Sequence, residues 1–420
     1  MLDRHSSTDN PAVHGLLHLR GFVNWAILGV LIGIIGGLLG AVFHICVDAV
    51  TELREAHGWI LWLLPAGGAA IALLYRLSGV TVSANEVLSA ARSNQKLPVL
   101  TLPVIFVSTV ITQLFGGSAG KEGAAIQMGG TLGFQLGKLL KLDEKDEHVA
   151  VMCGLSAVFA AVFGTPVTAC FFALEVISIG AMYYVALIPC IFAVMTASQL
   201  TRLLGLSSLG WTIPIPAFGV GPLLEVLLLS VCCALLSIVF CIGLHRGSHL
   251  AARVIPCGEL RGLIGGGAIV VLTLLCGTRI YNGSGFGLID AALAGTASPW
   301  AFLLKLVFTV VTISFGFKGG EIVPTMAIGA SVGALIASLT GADPAFLGGL
   351  GLIGLFCSMV NCPAASILLG VELFGAEGLL YYTMTCTVCF ALSGNYGLYS
   401  SQKLLYSKLR AEFINTTVHD

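Results

Sequence analysis

Apolar runs follow one another along most of this chain, and polar residues mark the breaks between them. Between Gly21 and Ser393 the runs include Phe22 to Val47, Ile60 to Tyr75, Leu97 to Phe115, Met182 to Leu200, Leu223 to Leu244 and Leu263 to Cys276. Several approach the ~20 residues that carry an α-helix across a hydrocarbon core of roughly 30 Å. Others are shorter or broken by Gly and Pro. At membrane depth a broken helix is tolerated only where it is buried in protein or lines a cavity. The pattern predicts an all-α, polytopic membrane protein containing broken and tilted helices.

The pattern also repeats. Gly154, Pro166 and Glu175 match Gly351, Pro363 and Glu372 at one common offset, and Gly120 to Gly130 lines up with Gly319 to Gly329 at nearly the same one. In this alignment Glu122 pairs with Glu321. Two separate matches that each keep a glutamate argue against chance among Leu, Ala and Gly. The expected organisation is an N-terminal tail (1–20), a first membrane repeat (21–205), a linker (206–220) carrying Pro214 and Pro216, a second repeat (221–406) and a short C-terminal tail (407–420). Duplicated halves with short, Gly-interrupted helices signal a transporter whose site lies near the midplane between them. An inverted relation is the expectation.

Composition narrows the classes. The chain is 57% hydrophobic and 10% charged, where soluble chains carry about 25% charge. Its net charge of −1 and lack of a basic cluster point away from nucleic acid. The first 20 residues lack the pattern of a signal peptide, and the residues after Tyr406 are too few for a soluble regulatory domain. Most of the thirteen cysteines lie inside apolar runs, so they read as small packing residues rather than metal ligands. No cofactor or metal is expected. The setting expected is a multi-pass protein of the plasma membrane, with lipid around it and both termini cytoplasmic.

The chemistry gathers in Gly116-Gly117-Ser118-Ala119-Gly120-Lys121-Glu122-Gly123-Ala124-Ala125-Ile126-Gln127. Here one carboxylate stands among glycines at the start of an apolar helix. A charge at that depth is costly and is either neutralised or in use. Glycines let backbone N–H groups crowd around a small ligand, and a helix N-terminus adds partial positive charge. Those groups attract an anion, while Glu122 competes for the same seat or takes up a proton. The bland reading of Glu122 is a salt bridge to Lys121 or a charge at a helix N-terminus. For Glu321 it is a first-turn acid complementing the helix dipole, worth about 0.3–1 kcal/mol, and this weighs evenly against pathway lining. Lys121 and Lys318 either attract an entering anion or snorkel. Glu175 and Glu372 read as structural groups at helix ends.

Other chemistries fail on specifics. There is no His-Glu-x-x-His, no Gly-x-x-x-x-Gly-Lys-Ser/Thr, and no readable histidine partner for Ser156. The chain therefore reads as a transporter and not an enzyme. Outside anion transport the rival is a cation/proton antiporter using Glu122 and Glu321 as ligands. It is disfavoured because helix starts favour negative charge.

The motif Gly120-Lys121-Glu122-Gly123, its partner Gly319-Gly320-Glu321-Ile322-Val323-Pro324 and the late Gly397-Leu398-Tyr399-Ser400 together resemble the CLC family of anion channels and anion/proton antiporters. The resemblance spans nearly the whole membrane region. It implies a homodimer with one anion pathway per subunit, a gating and proton-carrying glutamate at Glu122, and an inner tyrosine at Tyr399, with Tyr396 the rival. It implies anion contacts from Gly120, Gly123, Gly320, Ile322 and Val323, the last through its backbone N–H. Several positions depart from the family's chloride carriers. Their serine-bearing first anion turn is replaced by Gly79 to Glu86, where Ser83 and Asn85 are the candidates. Ala124 replaces a proline, Glu321 replaces a phenylalanine, and Val176 stands where the antiporters carry an inner proton glutamate. These departures resemble the bacterial branch that exports fluoride in exchange for protons. A chloride channel or chloride/proton exchanger of the same family is the alternative.

Overall fold

The computed structural model describes residues 11–93, 95–206 and 209–418. Its helices fall into two sets of eight. The first set is α1 (Pro11–Ala56), α2 (Leu64–Ser78), α3 (Ala84–Ala90), α4 (Thr101–Phe115), α5 (Glu122–Leu139), α6 (Glu144–Phe163), α7 (Pro166–Glu175) and α8 (Leu187–Leu203). The second is α9 (Val220–Val254), α10 (Gly258–Cys276), α11 (Phe286–Leu293), α12 (Ala301–Ser314), α13 (Ile322–Thr340), α14 (Pro344–Val360), α15 (Pro363–Phe374) and α16 (Leu379–Leu392). Seven helical stretches among the described residues are long and apolar enough to cross a membrane. The short helices α3, α7, α11 and α15 are the broken elements that the Gly and Pro interruptions predict.

Both halves pack by the same rule. Gly129 and Gly133 bring α5 against Gly154 and Ala150 of α6 at backbone distance, and Gly329 and Gly333 bring α13 equally close to Gly351 and Leu347 of α14. Two small residues four apart on one helix face allow this approach where lipid supplies no hydrophobic drive. The N-caps match as well. The Asp143 carboxylate accepts from Asp146 N at 2.9 Å, and that of Asp343 accepts from Ala345 N at 2.8 Å. Helix α14 is three residues shorter than α6 (17 against 20).

The structure corrects one pairing read from the sequence. Gly120 and Gly320 form a mutual antiparallel bridge, with Gly120 N to Gly320 O at 2.6 Å and Gly320 N to Gly120 O at 2.7 Å. Helices α5 and α13 begin at Glu122 and Ile322, so the repeat runs one residue further than Gly120 matched to Gly319. Lys121 and Glu321 are the equivalent N-cap residues, with φ of −102° and −96°. Glu122 is therefore equivalent to Ile322 and not to Glu321. Identity matching slipped because consecutive glycines fit equally well in either register.

Glu175 and Glu372, the paired glutamates, cap each other's half. Glu372 ends α15 and accepts from Val167 N (2.9 Å), Thr168 N (2.8 Å) and Thr168 Oγ1 (2.6 Å) at the start of α7. Glu175 ends α7 and accepts from Ala364 N (3.1 Å) and Ala365 N (2.9 Å) at the start of α15. Each carboxylate meets orphan amides and a positive dipole end. Glu372→Gln is expected to destabilise the fold by about 1–2 kcal/mol. The check is a lower midpoint of thermal unfolding in detergent, with a similar drop for Glu175→Gln.

The ends of the chain are more structured than the sequence suggests. Helix α1 already covers Pro11 to Arg20, within the expected tail; residues 1–10 lie outside the described residues. A small sheet interrupts the otherwise helical fold. Strand β1 (Ser178–Ile179) pairs parallel with β2 (Lys403–Tyr406), which pairs antiparallel with β3 (Phe413–Thr417), inside the expected C-terminal tail. The strands follow α7 and the Tyr399 turn, so the sheet lies beside that turn.

Candidate functional site

Helix α4 ends at Gly116 in the left-handed region, with φ +90°. The chain then crosses Gly117 to Lys121 and starts α5 at Glu122. A Cβ at Gly120 would meet Glu122 Oε2, which lies directly over it, and would stand 3.3 Å from Gly320 O. Gly123 faces the other half just as closely; its Cβ would stand 2.7 Å from Gly320 Cα and 3.0 Å from Gly319 O. The two motifs are thus pressed backbone to backbone, and the glutamate side chain sits above their seam.

Glu122 is fully buried, and neither carboxylate oxygen has a hydrogen-bond partner among the described residues. The backbone N–H groups of Lys121, Glu122 and Val323 face the carboxylate without making a well-formed hydrogen bond. They come from the start of α5 and the start of α13, so amides of both halves converge on one negative group. Ile322 and Val323 are buried at the first turn of α13. Of the predicted contacts, Gly120 lies against the carboxylate and Val323 faces it, while Gly123 and Gly320 are pressed against each other at the seam.

The salt bridge between Glu122 and Lys121 is not formed, while Glu122 does stand as the first residue of α5, an acid at a helix start. The Lys121 ammonium is bonded to Asp48 Oδ1 of α1 at 2.9 Å, and His44 Nε2 holds Asp48 Oδ2 at 2.9 Å. Asp48 and His44 were not singled out from the sequence. Their spacing of one helical turn on α1 was readable, but nothing in it connected them to Lys121.

Glu321 is the N-cap of α13, partly accessible, with its carbonyl accepting from Thr325 N at 2.9 Å and Thr325 Oγ1 at 2.7 Å. Its carboxylate lies within electrostatic range of both Glu122 and Lys318. Lys318 sits over the Tyr75 ring at 4.5 Å and within range of Glu86. Tyr399 is buried, its hydroxyl has no partner, and the charged groups within its range include Glu321 and Glu122. Tyr396 instead gives its carbonyl to Asn361 Nδ2 at 3.0 Å. The Tyr399 side chain is thus within electrostatic range of both glutamates.

The Tyr399 turn is held from two sides. Leu398 N donates to Met359 O at 2.7 Å, and Ser401 N donates to Asn85 Oδ1 at 3.1 Å. Asn85 therefore ties the start of α3 to this turn. Ser83 is the N-cap of α3 in a reciprocal capping box. Its hydroxyl donates to Glu86 and accepts from Asn85 N at 3.2 Å, while Ser83 N donates to Glu86 Oε2 at 2.8 Å. The Ser-x-x-Glu spacing was a readable cap signal that the search for a chloride serine passed over.

One buried cation also escaped the sequence reading. Lys305 of α12 is wholly enclosed and donates to Ser118 Oγ (3.0 Å), Tyr281 O (3.1 Å) and Gly283 O (2.8 Å). It pins the motif loop to the segment before α11. A lone lysine inside the apolar run from Ala301 to Ser314 was the available signal.

Comparison with known proteins agrees with this architecture. A family model described as voltage gated chloride channel matches residues 81–394. A chloride/fluoride channel protein of Pseudomonas syringae pv. tomato is 35% identical over 397 residues, covering 91% of this chain and 87% of its own. A crystal structure of a CLC-type fluoride/proton antiporter superposes with a TM-score of 0.86 at 32% identity, over 90% of this chain and 98% of that one. A slow cyanobacterial Cl−/H+ antiporter shares the fold, with a TM-score of 0.74 at 21% identity over 88% and 94%.

Proposed function

This chain belongs to the voltage gated chloride channel (CLC) family, and from that premise we propose that it exports fluoride across the plasma membrane in exchange for protons. The observation that carries the proposal is the Glu122 carboxylate, buried without a hydrogen-bond partner in a seat faced by amides of both repeats. A permanently ionised side chain left so poorly satisfied would be costly. A gate that alternates between filling the seat and leaving it, protonated, to an anion accounts for the geometry.

In this reading Glu122 takes a proton, loses its charge and swings off the seat. The amides at Gly123 and Val323 and the converging starts of α5 and α13 then receive the anion. Gly120 and Gly320 keep the seam thin enough for both sets of amides to reach it, and Ile322 closes its wall. Glu321 and Tyr399 line the inner end, with Asn85 and Ser83 setting the α3 start beside the Tyr399 turn. Protonation opens the seat to the anion and deprotonation returns the carboxylate to it, so proton and anion movements are linked through Glu122.

Fluoride is favoured over chloride by two local features. The Ser83 hydroxyl is consumed by Glu86 and leaves no free hydroxyl for chloride at that turn. A protonated Glu122 would donate a short, charge-assisted hydrogen bond, the kind of donor that compensates a small, tightly hydrated anion. The similarity to proteins described as a chloride/fluoride channel protein and a fluoride/proton antiporter supports the same choice. The proposal includes a homodimer with one pathway per subunit, surrounded by lipid, with both termini cytoplasmic.

The test is ion flux from liposomes holding the purified protein, followed with fluoride and chloride electrodes and a pH probe. Fluoride efflux well above chloride, accompanied by proton uptake, is the expected result. Chloride efflux at an equal or greater rate moves the protein to chloride transport. Movement of neither anion, with sodium-driven proton flux, replaces the proposal with cation antiport.

A further inference from the structure

Lys121 adjoins Glu122 in sequence and is itself buried, yet the two side chains do not pair. The ammonium goes to Asp48 Oδ1, and the second Asp48 oxygen is taken by His44 Nε2, each at 2.9 Å. Both oxygens of Asp48 are thus committed, one to a ring that fixes their rotation and one to the lysine. Both oxygens of Glu122, one residue away, have no partner. Lys121 lies within electrostatic range of Glu122, and unlike charges attract strongly where water is scarce, but the ammonium is held by Asp48. The Asp48 side chain is half exposed, at 50%, so the pair forms at a partly solvated edge.

We propose that Asp48, oriented by His44, is a positioning residue for transport: it withholds Lys121 from Glu122 and so keeps the gate carboxylate from being locked in an ion pair. A Glu122–Lys121 pair would hold the carboxylate ionised and in place, opposing both its protonation and its swing. The inference rests on the reading of Glu122 as the gate. It extends that reading to three side chains, two of them on a helix that contributes nothing to the anion seat.

The test is Asp48→Asn in the full-length protein, with Lys121→Met and Asp48→Asn/Lys121→Met beside it. Fluoride/proton exchange should fall at least about tenfold in the single Asp48 variant. It should return to the Lys121→Met rate in the double variant, which also removes any unpaired buried charge that might impair folding. Against a Glu122→Gln background, Asp48→Asn should change anion flux by less than about twofold, since there is no carboxylate left to capture. A cryo-EM structure of Asp48→Asn should place the Lys121 ammonium within about 4 Å of the Glu122 carboxylate. Wild-type exchange in Asp48→Asn, an equal slowing in the Glu122→Gln background, or a lysine still turned away from Glu122 overturns the proposal. The structural readout needs no transported ion. Failure of the wild type to move anions would therefore count against the proposed function alone, and the lysine position would still decide this inference.

Discussion

Glu122→Gln is expected to abolish proton movement coupled to anion flux, while anion flux itself continues. Glutamine has nearly the shape of the protonated glutamic acid, so the seat stays accessible to an anion. It cannot release a proton, and the coupled half of the cycle stops. The expected loss of proton flux is on the order of 100-fold or more, the scale of removing a positioned proton-transfer group. Fluoride efflux from liposomes should also lose its dependence on an imposed pH gradient. The readout is simultaneous fluoride-electrode and pH recording. Persistence of pH-driven fluoride exchange in this variant would remove Glu122 from its role and leave its buried, unpartnered carboxylate without a function.

The second large effect is expected from a single methyl group. Gly320 N and O both bond Gly120, at 2.7 and 2.6 Å, and a Cβ at Gly320 would intrude on Gly123 N. Gly320→Ala must push α13 away from α5. Overpacking of this kind costs about 1–3 kcal/mol, and each bridge hydrogen bond lost adds about 1 kcal/mol. The functional cost should exceed the cost in stability, because the amides of α5 and α13 face one seat from opposite sides of that bridge. A displacement near 1 Å there is expected to lower exchange by about 100-fold. Gly267→Ala, on α10 with open space around the glycine, is the control. It should match wild type in transport and equal or exceed it in thermal stability, since alanine is the better helix former by roughly 1 kcal/mol. Equal transport in the two variants would mean that the Gly120–Gly320 seam does not hold the site together.

Much of this protein was legible in its residues because the signals were local or repeated. Apolar runs marked the long spans, and Gly and Pro marked the breaks. Pro166 and Pro363, at matching positions of the two repeated segments, open α7 and α15. Glu122 stood out because a carboxylate among glycines at a helix start is rare at membrane depth. Tyr399 was preferred to Tyr396 from its motif, and the fold buries it within electrostatic range of the glutamates for a reason no local pattern contains. Its turn is clamped by Met359 and Asn85, far away in sequence.

The misses share a cause. Glu321 was matched to Glu122, but the bridge between Gly120 and Gly320 shows that its equivalent is Lys121. Glycine runs carry no side chains from which a register can be judged. Ser83 was sought as an anion ligand and is engaged as a helix cap. His44 and Lys305 were passed over because each lies in an apolar run whose periodicity says only that it is helical, and Asp48 because it directly follows such a run.

Residue order alone thus gives a helical membrane protein with matched segments in its two halves, the place of its glycine motif and the carboxylate proposed as its gate. These follow from hydropathy, chain stiffness and the cost of a buried charge, all properties of short stretches. Which amides face Glu122 and which carboxylate holds the Lys121 ammonium depend on contacts between residues far apart in the chain. Such contacts depend on how two halves meet, and at this seam they meet through glycines, whose missing side chains allow the approach and leave its register unwritten.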